Sequence, residues 1–107
     1  MALLKSISTR FGIACPDAYH RITRIIAERM AFAGPLDGDG NPTTVFAPGA
    51  IITTSAWADV AAAAGGAEPV EQITVIVQLS GAAAGPLIAQ AYALVKTTPE
   101  YAGALDA

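Results

Sequence analysis

Cysteine, charge and aromatic side chains are all scarce in this chain of 107 residues, and each scarcity removes a class of protein. The single cysteine, Cys15, excludes an internal disulfide and a four-cysteine zinc site, so stability must come from packing. Charged residues make up 14% and the formal charge is -3, which argues against a nucleic-acid binder, since neutralising phosphates takes dense lysine and arginine. An unbroken apolar span is also lacking. The uncharged stretch between Glu71 and Lys96 is long enough for a membrane helix, but Gly81, Gly85 and Pro86 divide it, and a strand followed by a helix is expected there instead. No secretory leader is read, because Lys5 and Arg10 interrupt the apolar residues after Met1 and no small-residue cleavage site follows.

What the chain does have is apolar residues, at 53%, too many for a disordered segment. At this length they suit one core, so residues 1–107 read as a single domain with no separate substrate domain. Charge is unevenly placed. Residues 1–29 carry Lys5, Arg10, Arg21, Arg24 and Arg29 against Asp17 and Glu28, whereas the remainder carries only Lys96 against Asp37, Asp39, Asp59, Glu68, Glu71, Glu100 and Asp106. Such asymmetry favours attraction between unlike surfaces, within one chain or between copies.

Alternation of Leu3, Lys5 and Ile7 suggests a strand within residues 2–9. Residues 18–30 fit two patterns. Tyr19, Ile22, Ile26 and Met30 would share one face of a helix, yet the β-branched and aromatic content also suits a strand. Residues 33–49, with Gly34, Pro35, Gly38, Gly40, Pro42, Pro48 and Gly49, read as an extended loop or hairpin tip. Residues 50–57 form a strand candidate, and residues 59–64 a helical turn stopped by Gly65 and Gly66. Residues 70–79 give the clearest strand, with Ile73, Val75 and Val77 on one face and Thr74, Ile76 and Gln78 on the other. Ile76 predicts partial burial on both faces, as in a central strand or at a subunit contact. Pro86 opens a helix across residues 86–97 whose inner stripe is Leu87, Ala91, Leu94 and Val95, and Thr98, Pro99 and Glu100 cap a last short segment. The fold class expected is α+β, a small antiparallel sheet of about four strands with one C-terminal helix packed on it.

No constellation points to one chemistry, so no enzyme, cofactor or metal is expected. Asp37, Asp39 and Asn41 alternate as in the start of a calcium loop, but Pro42 and Pro48 stand where glycine and glutamate are needed, and a hydrated turn is the reading. Residues 81–86 lack the Lys-Ser/Thr pair of a phosphate loop and read as a strand-to-helix turn. Cys15 and His20 lack an acid or amide to orient the imidazole, which leaves a buried thiol and a hydrogen-bonded histidine. Tyr19, His20, Arg21 and Arg24 form the only cluster that is aromatic, polar and basic together. It is either an interface anchor or one face of a surface strand packed on the chain's own acids.

Two segments, DAYHRI at residues 17–22 and AQAYALVKTTPEYAGALDA at residues 89–107, resemble a family of small tailed-bacteriophage proteins, encoded among tail or tail-fibre genes and mostly of undefined function. Lys96, Thr97, Pro99, Glu100, Tyr101, Ala102, Gly103, Ala104 and Asp106 fit its closing step. The Ala-rich, Gly-then-Pro layout of residues 57–70 is similar, and residues 33–49 are longer than the family pattern. The resemblance implies a tyrosine-histidine-arginine strand after a short N-terminal one, which favours strand for residues 18–30, and it carries no catalytic residues. It implies a virion part assembled in the host cytoplasm, at the tail, baseplate or fibre attachment, with other virion proteins and copies of itself as partners. Capsid decoration, or a cytosolic module binding a host factor, are the alternatives. The apolar composition agrees with oligomer contacts covering exposed surface.

Overall fold

The computed structural model describes residues 2–79 and 86–107. The expected strand-to-helix turn over residues 81–85 lies outside the described residues. Two long strands, β4 (Tyr19–Ala33) and β5 (Thr44–Trp57), form a hairpin, and the other elements attach to its base. In chain order these are β1 (Leu3–Leu4), β2 (Ile7–Ser8), β3 (Ala14–Cys15), α1 (Val60–Ala64), β6 (Glu71–Gln78), α2 (Leu87–Val95), a 3-10 turn (Pro99–Tyr101) and β7 (Leu105–Asp106). The main sheet is antiparallel in the order β6-β5-β4-β1-β7, and β2 with β3 makes a separate two-stranded ribbon. The α+β class holds, with five strands in the main sheet where about four were expected. The expected N-terminal strand is split at Lys5 and Ser6, β1 joining the main sheet and β2 the ribbon.

Residues 18–30 are strand, within β4. Residues 33–49, expected as an extended loop or hairpin tip, form the tip of the β4–β5 hairpin, and the loop itself is shorter, since β5 already begins at Thr44 and runs through Pro48. Pro48 is tolerated because its missing donor lies on the β6 side, where β6 ends with the Leu79 amide donating to the Pro48 carbonyl, and no bond to β4 is lost. Gly49 leaves room for the side chains that cross from β4, since a Cβ there would lie 2.7 Å from the Phe32 ring and 2.8 Å from the Met30 sulfur and would push those side-chain ends aside.

One face of the sheet makes the core. Leu3, Ala50, Ile52, Val75 and Val77 meet Ala91, Tyr92 and Val95 of α2 and Tyr101 of the 3-10 turn. Pro86 precedes α2 as its N-cap, and Asp59 caps α1 by accepting from the Ala62 amide at 2.8 Å. The inner stripe of α2 differs from expectation. Leu87 is 50% exposed and Leu94 only part-buried, whereas Tyr92 is buried, because the helix reaches the sheet from Ala91 onward. Ile76 is 63% exposed: β6 is an edge strand with a single covered face, not a central one.

The hairpin outruns its supports. Among the described residues β6 pairs with β5 from Gly49 to Ala56, and β1 with β4 at Tyr19 and His20, so residues 29–33 and 44–48 form an arm of two described strands beyond the core. The radius of gyration of 16.0 Å, against about 13 Å for a compact chain of this length, and the longest extent of 53 Å record that projection.

Candidate interaction surface

The expected cluster is divided by the pleat and then partly reassembled by a bulge. Tyr19 opposes Trp57 and Arg21 opposes Ser55 on the outer face, whereas His20 opposes Ala56 on the core face. Between Ile22 and Arg24 the register shifts, with Ile22 opposite Thr54 and Arg24 opposite Thr53, so Thr23 is the extra residue. Its hydroxyl lies 3.1 Å from that of Ser55. Without the bulge Arg24 would follow His20 and Ile22 into the core. With it, Arg24 joins Tyr19 and Arg21 on the outer face, and Ile25 takes the core position opposite Ile52. Arg21 and Arg24 are exposed and Tyr19 half-buried, and a shallow groove of about 210 Å³ runs between Tyr19, Arg21 and α1.

His20 does not belong to that surface: it is fully buried. Its Nε2 donates to the Lys5 carbonyl at 2.9 Å, which makes Nδ1 an acceptor for the Tyr101 hydroxyl at 3.0 Å. Thr54 completes the chain by bonding to the Tyr101 hydroxyl, and lies 3.2 Å from the Ile73 carbonyl. The two rings meet edge to face, with centroids 5.1 Å apart. This network ties β4, β5 and β6 to the 3-10 turn. Tyr92 makes a second tie, accepting from the Ile22 amide at 3.0 Å beside the bulge.

Burial holds the His20 imidazole below its ordinary pKa, the Lys5 carbonyl opposing this only in part. The folded chain therefore refuses a proton that the unfolded chain accepts, and stability falls as pH drops below about 6.5, the unfolded value. We expect the urea midpoint to decline from about pH 7 to 5.5, and a His20→Gln variant that still folds to lose that slope. A midpoint flat over this range would contradict the buried neutral imidazole.

The remaining chemistry-bearing groups are committed locally. With both nitrogens of His20 bonded, neither is left to activate Cys15, which is buried in β3. The Asp37 carboxylate accepts the amides of Asp39 and Asn41, each at 2.9 Å; these bonds, Asn41's first, lower its pKa, and Gly40 closes the turn at φ 79°. Among the described residues, no group of three or more His, Cys, Asp or Glu is placed to hold a metal, and no helix is long and apolar enough to cross a membrane. Arg10 pairs with Glu71 at 3.1 Å, joining the basic first third to the acidic remainder within one chain. Arg21, Arg24 and Arg29 make no ion pair among the described residues.

The arm gives the hairpin expected over residues 33–49 a paired stem that sequence reasoning did not place. On one side Met30 and Phe32 lie half-buried across Gly49, with Val45 43% exposed beside them; on the other, Phe46 is 62% exposed. The alternating Val45 and Phe46 were a legible strand signal, obscured by Pro48 and Gly49. Compared with protein-family models, curated proteins and solved structures, the chain matches none.

Proposed function

We propose that this chain is a structural protein of a tailed-bacteriophage particle, a tail, baseplate or fibre-attachment component that acts through protein-protein contacts. It works in the virion, after assembly in the host cytoplasm, beside other virion proteins and copies of itself. The resemblance of residues 17–22 and 89–107 supplies the phage context. One structural observation carries the mode of action: a two-stranded arm with Val45 and Phe46 exposed and, among the described residues, no third strand over residues 29–33 and 44–48. An isolated two-stranded ribbon is at best marginally stable in water, and exposed apolar side chains on it gain from a partner's surface. The outer face with Tyr19, Arg21 and Arg24 is a second contact of the kind that tyrosine and arginine serve well. No catalytic role is proposed.

The test compares three variants for stability and for incorporation into particles: Val45→Asp with Phe46→Asp, Arg21→Ala with Arg24→Ala, and Asp37→Ala with Asp39→Ala. We expect the arm pair to change folding stability by no more than about 0.5 kcal/mol, as for other surface changes, and to lower incorporation at least about tenfold, the ratio for a loss of ~1.4 kcal/mol in docking. The arginine pair should weaken incorporation less, and the aspartate pair least, through the two Asp37 turn bonds rather than through its charge. Full incorporation of the arm pair would remove the arm from the mechanism.

A further inference from the structure

We propose that the open edge of β6 is a self-pairing interface, through which two copies join their sheets across a two-fold axis at Val75. This deepens the assembly reading above by naming a second copy as the partner, and it rests on that reading only for its biological setting.

β6 is an edge strand, and the parity of its inward bonds is fixed by Leu79 donating to Pro48 at 2.9 Å, one step beyond the Gln78–Gly49 pair. Those bonds place the backbone groups of Gln72, Thr74, Ile76 and Gln78 on the outer side. Among the described residues nothing pairs with the outer amides of Thr74, Ile76 or Gln78, and that of Gln72 meets only the neighbouring Glu71 carboxylate at 3.2 Å. Edge strands are ordinarily guarded by a charge, a proline or a bulge. From Gln72 to Leu79 there is no ionisable residue and no proline, and the register with β5 is unbroken.

The occupant is read from the residues. Gln72-Ile73-Thr74-Val75-Ile76-Val77-Gln78 is nearly the same backwards as forwards in chemical class. Antiparallel pairing centred on Val75 sets Gln72 against Gln78, Ile73 against Val77, Thr74 against Ile76 and Val75 against itself. Outward backbone groups meet outward ones, core-side residues meet core-side residues, and no charge faces a like charge. Moving the axis to Thr74 sets Gln72 against Ile76 and Glu71 against Val77, losing both the match and the full overlap.

The edge of β4 beyond His20 is also open, and Arg24 and Glu28 invite self-pairing centred on Ile26. That register would bring Phe32 and Ala33 of the second copy beside His20 and Tyr19, where β1 already lies. Among the described residues the β6 edge has no such obstruction, since the arm extends from the β4 and β5 side.

Eight residues make a ladder about 26 Å long and roughly 10 Å deep, well short of the ~800 Å² per partner of a standard stable interface. Association of free chains should therefore be weak, with a Kd of about micromolar or above, and be reinforced where neighbours hold the copies in place.

The test is sedimentation-equilibrium mass over a concentration series, with circular dichroism to confirm folding. The parent should show a reversible monomer-dimer equilibrium. Thr74→Pro removes an outward donor and leaves the β5 ladder whole, and it should be monomeric throughout. Gln72→Lys with Gln78→Lys should raise Kd at least about tenfold by opposing like charges, and Gln72→Lys with Gln78→Glu should recover the parental value or better. A parent that is monomeric at the highest concentration, a Thr74→Pro chain that dimerises like the parent, or two charge variants with equal Kd would each overturn the proposal. A monomeric parent that still enters particles removes this interface alone. A parent that dimerises as expected yet is absent from particles removes the virion reading and leaves the interface standing.

Discussion

Replacing Tyr101 with alanine is expected to lower folding stability by about 3–5 kcal/mol, the range for removing a fully buried aromatic ring. The ring sits in the core with Leu3, Ile52 and Val95, and its hydroxyl stands between His20 and Thr54. Tyr101→Phe separates the two contributions. It keeps the ring but leaves Nδ1 of the buried His20 without a donor, which should cost about 1–3 kcal/mol. Urea denaturation monitored by far-UV circular dichroism measures both. If Tyr101→Phe proves as stable as the parent, the polar chain through His20, Tyr101 and Thr54 does not hold the 3-10 turn to the sheet. The same two substitutions should move oligomer mass only through loss of fold, because Tyr101 touches neither the arm nor the β6 edge.

The second large effect compares the two faces of the sheet. Ile52→Ala should cost about 2–5 kcal/mol, since Ile52 is completely buried between Ile25 and Val75 in the middle of the sheet and beneath α2. Ile76→Ala, on the outer face of β6, should change monomer stability by no more than about 0.5 kcal/mol. The contrast is informative because Ile52 lies in a central strand beneath α2, whereas Ile76 lies on the uncovered face of an edge strand. Equal losses at the two positions would mean that the outer face is also covered in the isolated chain.

Particular residues show how much of this was legible in the sequence. Periods of two placed β5 from Ala50 and β6 almost to their ends, and Asp59 with Gly65 marked α1, because these depend on local backbone and capping chemistry. Periodicity could not decide residues 18–30. The bulge at Thr23 changes which parity faces the core, so Ile22 and Ile25 point inward three residues apart, a spacing that also suits a helix. The fold settled it as strand. The start of β5 at Thr44 was masked by Pro48 and Gly49, whose tolerance depends on where β6 ends and on the side chains crossing from β4. Of the candidate surface, Tyr19, Arg21 and Arg24 stand together, and His20 leaves it because the pleat sends alternate residues to the core. Tyr101 as a partner of His20 was not foreseen, since it needs a contact across 81 positions of sequence, and the choice between loop and hairpin over residues 33–49 stayed open because the projection depends on the length of the supporting strands.

The claim at the centre of this account is that the chain is a part of a virion and works there by contact. Quantitative mass spectrometry of phage particles purified through a density gradient tests it most directly, with the known tail and capsid proteins as internal standards. The account predicts peptides of this chain at a fixed copy number per particle, in simple ratio to the tail proteins and unchanged on further purification. Absence from particles, or an amount that falls with each purification step while the tail proteins hold constant, would contradict it.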